Sequence, residues 1–445
     1  MSTTLDTLRR EFRGDIIEPG DAAYEQASRT VLAQGTPAYV LRPASAADVQ
    51  AAVRFAAHGE LPLAVRSGGH GFPGFGTNAG GIVIDLSRLA DVEVIDKERH
   101  VVRIGTGATW GQVAEVLAPH GLSISSGDSR SVGVGGLTLG GGIGWKVRKH
   151  GLALDHVIAA DVVIASGELI RASADEADEL FWAVRGGGGN VGIVTALEFA
   201  AHETTDVFFG RIAFPASEAA EVLQGWAAYM RTAPDDLTST VELANPFAGG
   251  PQAPVVIRVA FDGDDPVAGA AAIDPIRALG TVIEDAVALV PIAATLEEGM
   301  VPPPGIQIAT RSGFVNAGSV PEVLRLLAET GAAEGSPVIA IRSVGGAVAR
   351  VDDDATAYAH RRAELMFVTT MVGPEPVIAA RRPGFDATWA ELAPHVSGAY
   401  GNFLSSASEA DVDAIYPPET RRRLRAVKRE YDPGNLFAGN HNVRP

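Results

Sequence analysis

The alternation of apolar and polar positions divides the chain into two kinds of region. Pro43 to Asp48 reads as a capping box, with Ser45 ahead of an Ala- and Val-rich helix that runs to about His58. Short apolar runs at 61–65 (LPLAV) and 81–87 (GIVIDLS) predict buried strands. Residues 91–105 alternate as a hairpin turning near Asp96-Lys97-Glu98, and Thr109 caps a helix to about Pro119. Residues 156–173 read as strand, turn and strand, and 191–200 as a further strand. From about Asp206 to His395 the pattern changes to longer strands (207–215, 253–261, 365–372) alternating with amphipathic helices (217–231, 320–331, 383–394). Such runs predict an antiparallel sheet covered on one face, and an α+β fold class. The closing stretch from Pro417 opens as a basic helix and ends at the turn Asp432-Pro433-Gly434-Asn435. Its six cationic side chains between Arg421 and Arg429 read as a solvated face.

Glycine changes this picture. Of 51 glycines, seven lie in Arg66–Gly81, eight in Gly127–Gly144 and five in Gly186–Gly192. Apolar residues are interleaved and regular elements flank each window, so these are not flexible linkers. Glycine is required where the backbone takes positive φ or approaches a ligand closely. Any one window could be a set of tight turns; three in one half of the chain point to backbone wrapped round a large ligand with a phosphate portion. The common nucleotide signatures are missing. No P-loop occurs, and Gly187-Gly188-Gly189-Asn190-Val191-Gly192 fits G-x-G-x-x-G but leads into a strand where a Rossmann fingerprint needs a helix. There is no G-x-S-x-G elbow and no H-E-x-x-H, and Asp352-Asp353-Asp354 reads as a solvated turn, so no metal site is expected.

Composition narrows the classes further. With no cysteine there is no disulfide, no thiolate metal site and no cysteinyl cofactor link. A formal net charge of −18 argues against nucleic acid as a partner. The N-terminus lacks the apolar core of a secretory signal, and no window reaches about 18 uncharged apolar residues. A cytoplasmic protein without a membrane partner, monomer or homodimer, is expected.

Four blocks taken together, RSGGHGFPGFGTNAGGIVIDLSRL, SVGVGGLTLGGGIGWKVRKHGLALDHV, LFWAVRGGGGNVGIVT and KREYDPGNLFAGNHNVRP, occur in family order. On them the chain resembles the berberine-bridge-enzyme-like FAD-linked oxidases of the vanillyl-alcohol-oxidase fold, in the bacterial branch near the nicotine oxidases. The resemblance implies a two-part FAD domain from residues 1–205 and 401–445, with 206–400 forming a substrate domain whose sheet roofs the isoalloxazine. It implies that Arg66, Ser67, Gly68, Gly69, His70 and Gly71 hold the pyrophosphate through backbone N–H groups. Gly133, Gly135, Gly136, Gly140, Gly141 and Gly142 would let backbone lie against the ribityl chain and diphosphate. Val194 would lie near the adenine, and Asn440 and Asn442 near the flavin. His70 matches the histidine bonded to the flavin 8α-methyl. Ser129 stands where many relatives carry the second, cysteinyl link, so the FAD would be monocovalent through His70. Leu137 stands where the family often has a histidine that bonds the ribityl chain.

The resemblance also implies a reaction. A hydride would pass from a carbon bearing oxygen or nitrogen in a small molecule to flavin N5, and O2 would be reduced to hydrogen peroxide. Val132 matches the position where a small residue keeps the oxygen path open, which favours an oxidase. Tyr400 and Asn402 form a Y-x-N pattern that places a tyrosine as base, although a phenol of pKa about 10 needs a cationic neighbour or the flavin's field to serve near neutral pH. Arg342, on an expected strand before Gly345-Gly346, could point into the pocket or form a structural ion pair, and His360-Arg361 reads as structural. The alternative is a tailoring enzyme performing oxidative cyclisation or oxygenation.

Overall fold

The computed structural model describes residues 5–299 and 301–445; the first four residues of the N-terminal stretch, on which the reading of a missing signal partly rests, lie outside them. The first half builds two sheets. β1 (Asp15–Ile17), β2 (Tyr39–Arg42), β3 (Leu63–Arg66) and β4 (Ile82–Asp85) form a sheet in the order β1-β2-β4-β3, with β2 and β3 parallel to β4. The parallel pair β3–β4 is connected through the first glycine window, while β2 and β3 are joined by α1 (Ala46–Gly59), whose N-cap Ser45 accepts the Asp48 N–H as expected.

β5 (Val92–Asp96), β6 (Val101–Gly105), β7 (Val157–Val163), β8 (Leu169–Ser173) and β9 (Ile193–Ala200) form an antiparallel sheet in the order β5-β6-β9-β7-β8. Three helices accompany it: α2 (Trp110–Leu117), α3 (Val134–Gly140) and α4 (Asp178–Val184). α2 carries the full Thr109–Gln112 capping box. α3 lies inside the second glycine window, so part of that window is helix and not loop.

The middle of the chain supplies an eight-stranded antiparallel sheet. Its strands are β10 (Val207–Phe214), β11 (Leu237–Leu243), β12 (Val255–Phe261), β13 (Glu284–Asp285), β14 (Ala288–Val290), β15 (Ile306–Val315), β16 (Val338–Ser343) and β17 (Leu365–Pro374). The order is β13-β10-β12-β11-β16-β17-β15, with β14 also on β10. Because side chains alternate along a strand, Leu237, Val241, Ile257 and Ile341 face one way, into a core shared with α5 (Ala219–Met230) and α6 (Val320–Ala332). Thr240, Arg258 and Arg342, which are register partners across β12-β11-β16, face the other way.

The helix expected over 383–394 instead runs as α7 (Glu375–Leu392), with Pro383 inside it and the N-terminal proline supplied by Pro376. Pro383 was read as a start because a proline is preferred in the first turn. The chain then returns to the first half. α8 (Glu409–Ile415) and α9 (Pro418–Tyr431) bury Val412, Leu424 and Val427 in the same core as Trp110, Phe199 and Val194. The reading of the basic helix as a uniformly solvated face fails at Lys428, which is wholly buried. A lysine one turn before Asp432 can meet it at i,i+4, and the two pair at 2.6 Å. Asp352, Asp353 and Asp354 are exposed, and Arg361 is buried in a two-pronged pair with Asp155, as the dipeptide suggested. No helix among the described residues is long and apolar enough to cross a membrane.

Candidate active site

The first two glycine windows meet face to face. A Cβ on Gly133 would lie 2.2 Å from the Gly68 nitrogen and 2.1 Å from Ser67 Oγ, so only two glycines permit this approach. Ser67 Oγ donates to the Thr106 carbonyl at 2.6 Å, which fixes the loop against the five-stranded sheet. Arg66 contributes backbone alone, since its guanidinium is committed to the Ala27 and Arg29 carbonyls and to Asp85. Gly69 takes φ +73, whereas Gly71 and Gly136 look onto open space.

The other glycines approach protein atoms. Gly135 backs onto Thr106, Gly140 onto the Asn402 amide, Gly141 onto the Tyr400 ring and Gly142 onto Ala153 and Leu137. Packing within the protein therefore by itself requires Gly140 to Gly142 to be small, against Asn402, Tyr400, and Ala153 with Leu137 in turn. Val194 is buried in β9 and its carbonyl accepts from Thr106 Oγ1 at 2.6 Å. Val132 is half-buried, its carbonyl bonded by the Trp110 N–H.

His70 lies beside the second window. Burial pushes its imidazole below the ordinary histidine pKa, partly offset by a hydrogen bond to the Ser131 backbone. Ser129 Oγ is buried there without a hydrogen-bond partner. The C-terminal tail arrives from the far side. Phe75 packs edge-on to His441 at 5.2 Å, and Gly189 of the third window lies against Asn440. Asn190 ties tail to window: its amide donates to the Gly187 and His441 carbonyls and its oxygen accepts from Val443. The Lys428 ammonium donates to the Asn190 carbonyl at 2.7 Å and locks this junction. Neither Asn190 nor Lys428 was singled out from sequence, although Asn190 stands within the third glycine window.

Among the described residues, Ser129 Oγ, Thr138 Oγ1, Asn440 Oδ1, His441 Nδ1 and Asn442 Oδ1 are buried polar atoms without partners. Native proteins rarely leave such atoms unsatisfied, so these five, three from the tail and two from the second window, have hydrogen-bonding capacity left for a polar ligand. With the Gly68–Gly133 cradle and the open faces of Gly71 and Gly136, this fits a dinucleotide such as FAD.

Tyr400 and Asn402 close the opposite side. The Tyr400 oxygen accepts from the Gly142 N–H at 2.8 Å and from the Asn402 amide at 3.0 Å, and the same amide reaches the Leu137 carbonyl. Burial pushes the phenol above its usual pKa; the two donors and the nearby Arg342 cation pull it down by less. At 3% exposure Tyr400 stands behind Phe403, whose half-buried ring lies between Phe72 at 6.1 Å and the Arg342 guanidinium at 5.5 Å. Arg342 also donates to Asp128 at 2.5 Å, which is the structural ion pair among the two alternatives. Phe72, Asp128 and Phe403 were not anticipated; Phe403 adjoins the Y-x-N pattern, but no local signal marks Asp128.

The comparisons agree with this geometry. Residues 37–173 match the FAD binding domain family and residues 399–444 the berberine and berberine-like family. The chain is 31% identical to (R)-6-hydroxynicotine oxidase of Paenarthrobacter nicotinovorans over 474 aligned positions, covering 100% of this chain and 99% of that protein. The structure of 6-hydroxy-D-nicotine oxidase from Arthrobacter nicotinovorans superposes with TM-score 0.86 and 28% identity over 98% of each chain. That of xylooligosaccharide oxidase from Myceliophthora thermophila, in complex with xylobiose, gives 0.88 and 26% identity over 100% of this chain and 99% of the other.

Proposed function

The chain belongs to the berberine-like FAD-linked oxidoreductases, and from that premise we propose an oxidase that takes hydride from a CH–OH or CH–NH carbon of a small molecule and reduces O2 to hydrogen peroxide. FAD, when bound, supplies the hydride-accepting N5 and the path of electrons to oxygen. The observation that carries the reading is the close approach of Gly68 and Gly133 together with the unpartnered buried polar atoms of the second glycine window and the tail.

In this reading residues 1–205 and 401–445 hold the cofactor and 206–400 hold the substrate. Backbone N–H groups of Ser67 to Gly71 and the turn at Gly133 bind the pyrophosphate. Asn440 and Asn442 turn their free oxygens to the flavin, and Val194 lines the adenine end. His70 forms one covalent link; without cysteine there is no second, and Ser129 stays a hydroxyl. The substrate lies under the sheet face that carries Thr240 and Arg342. Val132 leaves room for oxygen. Tyr400 takes the hydroxyl proton of an alcohol, its oxygen prepared for negative charge by Gly142, Asn402 and Arg342. Asn402 positions it.

The test is a peroxide-coupled screen of hydroxylated and amine compounds with the purified holoprotein. Stoichiometric peroxide and oxygen uptake with one of them supports the oxidase. Turnover with oxygen atoms entering the product and no peroxide overturns it in favour of an oxygenating tailoring enzyme.

A further inference from the structure

One piece of the middle region leaves its sheet and is zipped onto the strand of backbone beside His70. After β14, the Thr295 carbonyl accepts the Trp145 indole N–H at 3.1 Å, and Leu296 is buried in the first-half core. The Glu297 N–H donates to the Asp128 carbonyl at 3.0 Å and its carbonyl accepts from the Arg130 N–H at 2.9 Å, a bridge centred on Ser129. Two roof arginines clamp both sides of that bridge, Arg258 on the Glu297 carboxylate and Arg342 on Asp128.

In this strap Gly299 stands two residues beyond Glu297. A Cβ there would lie 2.9 Å from Ser129 Oγ, 3.3 Å from Ser131 Oγ and 3.4 Å from His70 Cε1. Gly299 is not in the left-handed region, so space alone and not backbone conformation favours glycine. The Ser131 backbone holds the imidazole by a hydrogen bond, and any side chain at position 299 would press on the carbon between its two nitrogens.

We propose that this strap is a positioning device for covalent flavin attachment, with Gly299 as the residue that sets the His70 ring. The proposal rests on the covalent reading above. One ring nitrogen is occupied by Ser131, the other is presented to the 8α carbon, and burial keeps the ring neutral so that the presented nitrogen has a free lone pair. The C–N bond forms at the lone-pair nitrogen as one methyl C–H breaks, the nitrogen bonded to Ser131 then gives up its proton, and the two protons and two electrons leave on O2 as hydrogen peroxide. Attachment thus depends on roof residues far from His70 in sequence.

The test compares wild type, Gly299→Val and Arg258→Gln holoproteins by acid precipitation, reading flavin absorbance in pellet and supernatant. A ring displaced by about an ångström costs on the order of a hundredfold in reactivity. Gly299→Val should therefore lower the pellet-to-supernatant ratio at least tenfold at unchanged total flavin, and Arg258→Gln should lower it several-fold by loosening the clamp. A wild-type ratio in the variants that retain flavin overturns the proposal and leaves the covalent reading standing; if Gly299→Val holds no flavin, Arg258→Gln decides. Flavin released from wild type overturns the covalent reading and this proposal with it.

Discussion

Replacing Lys428 by Met should destabilise the protein more than any exposed substitution and loosen the tail that carries Asn440 and Asn442. The ammonium makes three contacts, to Asn190 O at 2.7 Å, Asp432 Oδ2 at 2.6 Å and Phe437 O at 3.0 Å, and neither member of the ion pair has accessible side-chain surface. Met preserves the stem but leaves a buried carboxylate held only by the Leu436 and Phe437 N–H groups, at 2.7 and 2.9 Å. Removing one partner of a buried pair costs about 3–5 kcal/mol, and the Asn190 carbonyl, left without its donor, adds to it, whereas the Phe437 carbonyl keeps the Asn440 amide. Urea unfolding followed by tryptophan fluorescence reads the stability, and flavin absorbance per protein reads the tail. The double variant Lys428→Met/Asp432→Asn removes the uncompensated charge and should recover at least about 1 kcal/mol. A single variant that loses less than about 1 kcal/mol, or a double variant no more stable than the single, would refute the reasoning.

Three further outcomes follow from the same contacts. Gly133→Ala places a methyl 2.2 Å from the Gly68 nitrogen; overpacking of about 1–3 kcal/mol should weaken FAD binding roughly ten- to a hundredfold, and wild-type flavin content would show that the loops do not form the cradle. Because burial raises the Tyr400 pKa above its usual value, anaerobic reduction by an alcohol substrate should quicken with pH up to about 10 without a plateau. Tyr400→Phe should abolish that slope and slow reduction by about 10²–10⁴-fold; an unchanged profile removes Tyr400 as the base. Burial, reinforced by neighbouring cations, pushes His156 to about 3 and His202 to about 4, beside His150, Lys146, Lys149 and Asp262. The unfolded chain, with histidines near about 6.5, takes up protons first, so stability should fall as pH drops from about 6.5 towards 4. His156→Asn should make that fall shallower, and an identical slope of urea midpoint against pH would contradict it.

Much of this fold is written locally. Ser45 and Thr109 announce their helices because capping depends on residues three apart, and the glycine windows stand out because backbone contact with backbone leaves no room for a Cβ. The roof was harder to read. β11 is Leu-Thr-Ser-Thr-Val-Glu-Leu, and its three consecutive polar residues interrupt the apolar alternation that marks a strand. Pro383 misled because a proline in the middle of α7 looks like one at a helix start. The functional contacts that stayed hidden are those between distant segments. Arg342 and Asp128 are 214 residues apart, Lys428 and the Asn190 carbonyl 238, and no periodicity marks either pair. Tyr400 shows the remaining gap. Its motif was legible, but its burial behind Phe403 and the two donors on its oxygen belong to the packed structure alone.

The central claim is that these loops and this tail enclose an FAD tied to His70, and one spectrum tests it most directly. The visible absorbance of the purified protein is recorded before acid precipitation and then in pellet and supernatant, for wild type and His70→Ala. The account predicts a yellow wild-type pellet, and flavin released to the supernatant from His70→Ala. Flavin released from wild type would contradict the covalent link, and a wild-type protein that holds no flavin after incubation with FAD would contradict the site itself.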